Sequence, residues 1–165
     1  MEAPILQAAI WPATSPELVA AVCEAALGTV AAIFTAAEDL LAQIERVRAL
    51  TDRPFVVNHV VPALDEEAFA ATLEARPAAV SFALGDPGVL LGRVHEAGIK
   101  VIHQVHTVGQ ARAAAGHAID AFIAQGSEAG GQGMAAGVGT MALVPQVVDA
   151  VAPTPVLAAG GVADG

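Results

Sequence analysis

Seven times along this 165-residue chain, a short apolar run gives way to a polar residue or a glycine. The runs are Ile5–Gln7, Thr29–Ile33, Phe55–Asn58, Ala79–Phe82, Lys100–Val105, Ala121–Ala124 and Pro155–Ala158. Runs of this length without polar alternation are those of strands buried on both faces. Between them lie segments of helical character. Ser15 and Pro16 read as the N-cap and first residue of a helix reaching about Leu27, with Gly28 as its C-terminal cap. Leu40, Leu41, Ile44, Val47 and Leu50 recur at helical spacing within a second helix, Ala36–Leu50. Further helices are predicted over Asp65–Ala75, from Asp86 to Ala97, from the Thr107 cap to Gly116, and over Leu143–Val151.

Strands alternating with helices through short loops imply a parallel sheet with right-handed crossovers. A doubly wound sheet and a (β/α)8 barrel of the TIM type both satisfy that pattern. No G-x-G-x-x-G follows the first strand and no P-loop occurs, which favours the barrel. A barrel needs eight strands and typically about 250 residues. The expectation is therefore one domain, residues 1–165, of a barrel truncated after its seventh strand, or a chain that a partner completes.

The stretch Ala121–Gly133, AFIAQGSEAGGQG, concentrates the chemistry. A buried strand opens into a loop carrying Gln125, Ser127, Glu128 and Gln132 among four glycines. Glycines let backbone approach a phosphate or a ring closely and adopt positive φ. The alternative is an ordinary strand-to-helix turn.

Seventeen acidic against seven basic residues give a net charge of -10, which disfavours nucleic acid and anionic membranes as partners. A bound anion must then be held by backbone N–H groups. Cys23, the single cysteine, reads as a small core residue, and the lack of a possible internal disulfide fits a cytoplasmic protein. Neither a leader nor an apolar run long enough to span a membrane is read here.

Four stretches, in order and each at a strand, resemble the nitronate monooxygenases (2-nitropropane dioxygenases) and the related flavin-dependent enoyl-acyl-carrier-protein reductases. They are Pro4-Ile5-Leu6-Gln7, Arg53-Pro54-Phe55-Val56-Val57-Asn58, Gln125-Gly126-Ser127-Glu128-Ala129-Gly130-Gly131, and Val156 through Gly165. The resemblance covers essentially the whole chain but only the first half to two-thirds of the family's length. It implies FMN as cofactor, with Asn58, Gln125 and Gly130 against the isoalloxazine or ribityl portion. Gly160 and Gly161 would present N–H groups to the phosphate. The implied reaction is oxidation of an alkyl nitronate by molecular oxygen. Flavin-dependent reduction of an enoyl thioester or quinone by NAD(P)H is the alternative. A non-catalytic barrel fragment, self-associating or awaiting a completing chain, is a third.

The chain departs from the family pattern at three places. Gln132 stands where the family has the histidine that is its candidate base, and an amide cannot act as one. Ala8-Ala9-Ile10 replaces Gly-Gly-Met, adding methyl groups where backbone meets flavin. The family's eighth strand, which completes the phosphate site, has no counterpart. Preformed nitronates, which need no proton removed, are the expected substrates. His106, on the face of Gln104, is the first candidate for a replacement base lining the pocket, and His59 the second. His103 and His106, three apart on a strand, point to opposite faces, so no metal site is expected from them. His95 and His117 are expected at solvent or rim positions. Glu128 is expected to accept backbone N–H bonds and hold its loop, and Asp164 to cap a following helix.

Overall fold

The computed structural model describes residues 3–131 and 137–162, which form two compact units, Met1–Lys100 and Val101–Gly165. In the first, helices α1 (Pro16–Cys23), α2 (Ala37–Leu50), α3 (Glu66–Ala75) and α4 (Leu90–Glu96) alternate with strands β1 (Gly28–Ala31), β2 (Phe55–Val60) and β3 (Ala79–Ala83). The caps are those the sequence advertises. The Ser15 hydroxyl accepts from Leu18 N at 3.2 Å, and the Asp65 carboxylate accepts from Ala68 N at 2.8 Å.

β1 pairs with β2, and β2 with β3, all parallel, with Ala31, Asn58 and Ser81 in register. Alternate residues therefore divide between two environments. Val30, Phe55 and Val57 pack with Val19, Leu40, Ile44 and Val47 of the helices into one core. The other face carries Thr29, Val56, Asn58 and Ser81.

Three local expectations are corrected. Ile5–Gln7 is not a full strand: Leu6 makes one parallel bridge to Leu27, flanked by Leu27 N donating to Ile5 O and Gln7 N to Leu27 O. Gly28 begins β1 rather than capping α1. A Cβ there would stand 2.4 Å from Val19 O and 2.8 Å from Cys23 Sγ, so strand and helix touch through the missing side chain. The fourth helix starts at Leu90, not Asp86, because Asp86 Oδ1 accepts from Gly88 N and Gly88 has φ +44. That conformation is incompatible with a helix.

In the second unit β4 (Lys100–Val105), β5 (Ala121–Gln125) and β6 (Val156–Ala159) alternate with α5 (Val108–Ala114) and α6 (Thr140–Val151). β4 begins on Lys100, the last residue of the first unit. β5 pairs in parallel with both β4 and β6. Thr107 caps α5 through a complete capping box with Gln110. α6 starts three residues earlier than the apolar pattern suggests, and it includes Pro145. The six named strands and one isolated bridge account for all seven apolar runs.

Candidate flavin site

The carboxyl ends of the strands carry the polar residues in both units. At β2, Asn58 is half-buried, and its Nδ2 donates to Ser81 Oγ at 2.8 Å and to Ser81 O at 3.4 Å. On the same face Thr29 Oγ1 is buried, and it has no partner among the described residues. Such orphaned polar atoms cost stability unless a ligand or water satisfies them.

His59 faces the other way. It is 2% exposed, its Nε2 lies 2.9 Å from Thr72 Oγ1, and its ring meets Phe69 edge-on at 5.3 Å. Burial pushes its pKa down to about 4. This histidine belongs to the packing of β2 on α3, so it is set aside as a base lining the ligand face.

At the end of the unit's first, bridge-forming segment, Trp11 stands edge-on to Phe34 with ring centroids 5.5 Å apart. Both are exposed, and Phe34 has φ +54. They border an open groove of about 500 Å³ with Thr35, Asp39 and Arg46. Ala8 and Ile10, two of the residues replacing the family's Gly-Gly-Met, are exposed, and Ala9 is half-buried.

In the second unit His106 is 5% exposed just beyond β4. Its Nε2 lies 3.2 Å from Gln104 Nε2, as expected for side chains two apart on a strand. Its backbone N–H donates to Gln110 Oε1 at 2.7 Å, so the α5 capping box also fixes this residue. Burial holds its pKa below the usual imidazole range, opposed by the Gln125 backbone carbonyl, which favours the protonated ring. His103 points the opposite way, beside its register partner Phe122 at 6.2 Å. Among the described residues no group of three or more His, Cys, Asp or Glu is placed to hold a metal. His117 is exposed, and His95 is half-buried on α4.

The glycine-rich loop after β5 is built around Glu128 and Thr140. Glu128 Oε2 accepts from Thr140 N at 2.8 Å and from Thr140 Oγ1 at 3.1 Å, capping α6, whose N-cap Gly139 has no side chain. These bonds lower the Glu128 pKa, led by the Thr140 N–H. Glu128 is thus the loop-holding carboxylate anticipated from its surroundings. Thr140 Oγ1 also reaches Gly160 O at 2.8 Å, tying the turn after β6 to the same point.

The glycines follow from this crowding. A Cβ on Gly126 would lie 2.2 Å from Thr140 Oγ1, and one on Gly160 would lie 2.8 Å from it and 2.9 Å from Ala129 N. Gly160 and Gly161 have φ +114 and +68. Their N–H groups donate to no protein acceptor among the described residues. A turn with two free amides and no side chain in the way suits a phosphate oxygen. The residues present therefore fit the flavin phosphate without any cation. Gly130 is exposed, and a methyl group in place of its hydrogen would meet nothing within 4 Å among the described residues. Gln132 and Asp164 lie outside the described residues.

Ser81, which holds Asn58, and Thr140, which holds Glu128, are partners that sequence reasoning does not reach. Each is an ordinary hydroxyl in its own segment, and only strand register or loop closure gives it a partner.

Comparison with known proteins identifies the family and fold. The nitronate monooxygenase family profile matches residues 1–74 and 65–165. A Mycobacterium tuberculosis (strain H37Rv) protein, (3aS,4S,5R,7aS)-5-hydroxy-7a-methyl-1-oxo-octahydro-1H-indene-4-carboxyl-CoA dehydrogenase, is 37% identical over 169 residues, covering 100% of this chain and 47% of its own length. A probable nitronate monooxygenase of Staphylococcus saprophyticus is 34% identical over 209 residues, covering 98% of this chain and 59% of its own. Among solved structures, FabK from Thermotoga maritima superposes with a TM-score of 0.91 at 36% identity, covering 99% of this chain and 52% of that one. Nitroalkane oxidase from Streptomyces ansochromogenes gives a TM-score of 0.87 at 32% identity, covering 96% and 59%. The chain spans about half the length of the relatives it matches. With the profile matching along its whole length and TIM-barrel relatives superposing on nearly all of it, the chain belongs to the nitronate monooxygenase family of flavoprotein oxidoreductases.

Proposed function

We propose that this chain forms the FMN-binding part of a (β/α)8 barrel that oxidises alkyl nitronates with molecular oxygen. The observation that carries this reading is the Gly160–Gly161 turn. Its positive φ values, its close packing on Thr140 and Ala129, and two amides that donate to no acceptor among the described residues suit a phosphate dianion in a chain of net charge -10. Asn58, Gln125 and Gly130 would face the ring or ribityl chain. Bound FMN would supply the redox chemistry, with the protein contributing orientation and electrostatics.

With Gln132 at the family histidine position, the expected substrate is the preformed anionic nitronate. His106, whose pKa burial lowers, is the candidate among the described residues to accept a proton from a neutral nitroalkane. The lone buried Cys23 favours a cytoplasmic setting. No helix among the described residues is long and apolar enough to cross a membrane.

Purified protein should be yellow, and anaerobic mixing with nitronate should bleach the flavin faster than mixing with the parent nitroalkane. Equal rates would overturn the nitronate preference, and a colourless protein that takes up no added FMN would overturn the cofactor assignment.

A second reading, oxidation or reduction of an acyl thioester with a nicotinamide partner, is favoured by one observation. The M. tuberculosis CoA-thioester dehydrogenase aligns in 169 positions against 165 residues here, whereas the S. saprophyticus monooxygenase needs 209. Rapid bleaching by NADH or NADPH, with none by nitronate, would select it.

A further inference from the structure

Asn58 and Ser81 are register partners on parallel strands, side by side on the face opposite the helices. An asparagine amide has a donating and an accepting end, and its ligand chemistry depends on which end is turned outward. Here the local geometry decides. The Ser81 backbone carbonyl can only accept, and it lies 3.4 Å from the amide atom that also lies 2.8 Å from Ser81 Oγ. The atom facing Ser81 is the NH2 group, which donates to Ser81 Oγ at 2.8 Å and only weakly toward Ser81 O at 3.4 Å, so the hydroxyl carries most of the hold. The reverse orientation would set two carbonyl oxygens against each other. Oδ1 is the end left over, and it accepts from nothing among the described residues. Ser81 is 3% exposed, so its hydroxyl is held in place by packing.

We propose that Ser81 is a positioning residue that fixes the polarity of Asn58, making it present a carbonyl acceptor so that this part of the site selects a ligand group bearing N–H or O–H. For a flavin, such groups are the imide N–H of the ring and the ribityl hydroxyls. The identification of the ligand rests on the FMN reading above; the orientation of the amide does not.

Two measurements separate these levels. In the ligand-free protein, the Asn58 side-chain NH2 should give a resolved 1H–15N pair protected from solvent exchange, and Ser81→Ala, which leaves only the long approach to Ser81 O, should reduce that protection several-fold. Exchange as fast as for an exposed asparagine, or protection unchanged in Ser81→Ala, would overturn the proposal without reference to flavin. Titration with FMN then tests the consequence. Ser81→Ala should weaken FMN binding about five- to tenfold, the effect of one hydrogen-bonded group. In an Asn58→Ala background the same change should cost less than about twofold, because Ser81 acts through Asn58. Ser81→Thr, which keeps the hydroxyl, should retain most of the affinity. Equal losses in both backgrounds would show a merely structural serine and overturn the proposal. A parent protein that takes up no FMN would instead overturn the cofactor reading, leaving the exchange measurement to decide the amide orientation.

Discussion

Glu128 Oε2 accepts from both the backbone N–H and the hydroxyl of Thr140, at 2.8 and 3.1 Å, so one carboxylate oxygen joins the glycine-rich loop to the start of α6. The Glu128 pKa is held below its usual 4.5 by these donors, led by the Thr140 N–H. A depressed carboxylate contributes stability that is present above the unfolded pKa and lost as pH falls through the folded one. The melting temperature of the parent should exceed that of Glu128→Gln at neutral pH, and the gap should close below about pH 4.5. Thermal melts of both proteins across about pH 3 to 7, the range of carboxylate titration, check this. A gap that widens on acidification would refute it.

Thr140 should matter through its hydroxyl. Thr140→Val keeps the shape but removes the one hydroxyl proton shared between Gly160 O and Glu128 Oε2, at an expected cost of about 1–2 kcal/mol. Thr140→Ser should restore most of it. Urea unfolding of the three proteins measures the difference.

Gly126, Gly160 and Gly130 should respond differently to the same methyl group. Gly126→Ala and Gly160→Ala meet Thr140 at 2.2 and 2.8 Å, and each is expected to destabilise by about 1–3 kcal/mol. Gly160 adds the strain of φ +114. Gly130→Ala meets nothing within 4 Å and should melt with the parent. A loss of FMN affinity in Gly130→Ala without a change in melting would mark a direct ligand contact.

His59 should make the fold sensitive to mild acid. Its folded pKa is about 4, pushed down by burial from an ordinary imidazole value of 6.5. Between those values the unfolded chain binds a proton that the native protein does not, so stability rises with pH across that window. The expected contribution is at most about 3 kcal/mol between pH 4 and 6.5. His59→Gln, which can still bond to Thr72, should flatten this part of the profile.

For the proposed enzyme, His106→Gln should reduce turnover of neutral nitroalkane by about 100-fold or more while sparing preformed nitronate. Steady-state rates with the two substrate forms provide the comparison. Equal losses on both would assign His106 a structural role.

Much of this architecture can be read from local sequence because local physics determines it. Ser15, Asp65 and Thr107 announce helix starts since a cap needs only residues three positions away. The apolar runs likewise announce strands. Gly28 misleads because its lack of a side chain serves a contact with Val19 and Cys23 on the preceding helix, whereas a C-cap glycine serves its own turn. Leu6 reads as part of a full strand because apolar residues cannot reveal how many ladder bonds they will form. Among the candidate contacts, Asn58 in one unit and Gln125 and the glycine pair in the other stand at strand ends as their sequence context suggests. Ser81 and Thr140 are invisible in sequence because their roles depend on partners 23 and 12 residues away, respectively.

The alternation of Asn58 and His59 on β2 has a corollary for substitution. Neighbours in sequence, they serve different partners: Asn58 reaches Ser81 on the next strand and would meet the proposed ligand, while His59 serves the packing of α3 through Thr72 and Phe69. On the proposed reading, a substitution at the first position of this dipeptide would alter ligand preference, and one at the second would alter acid tolerance.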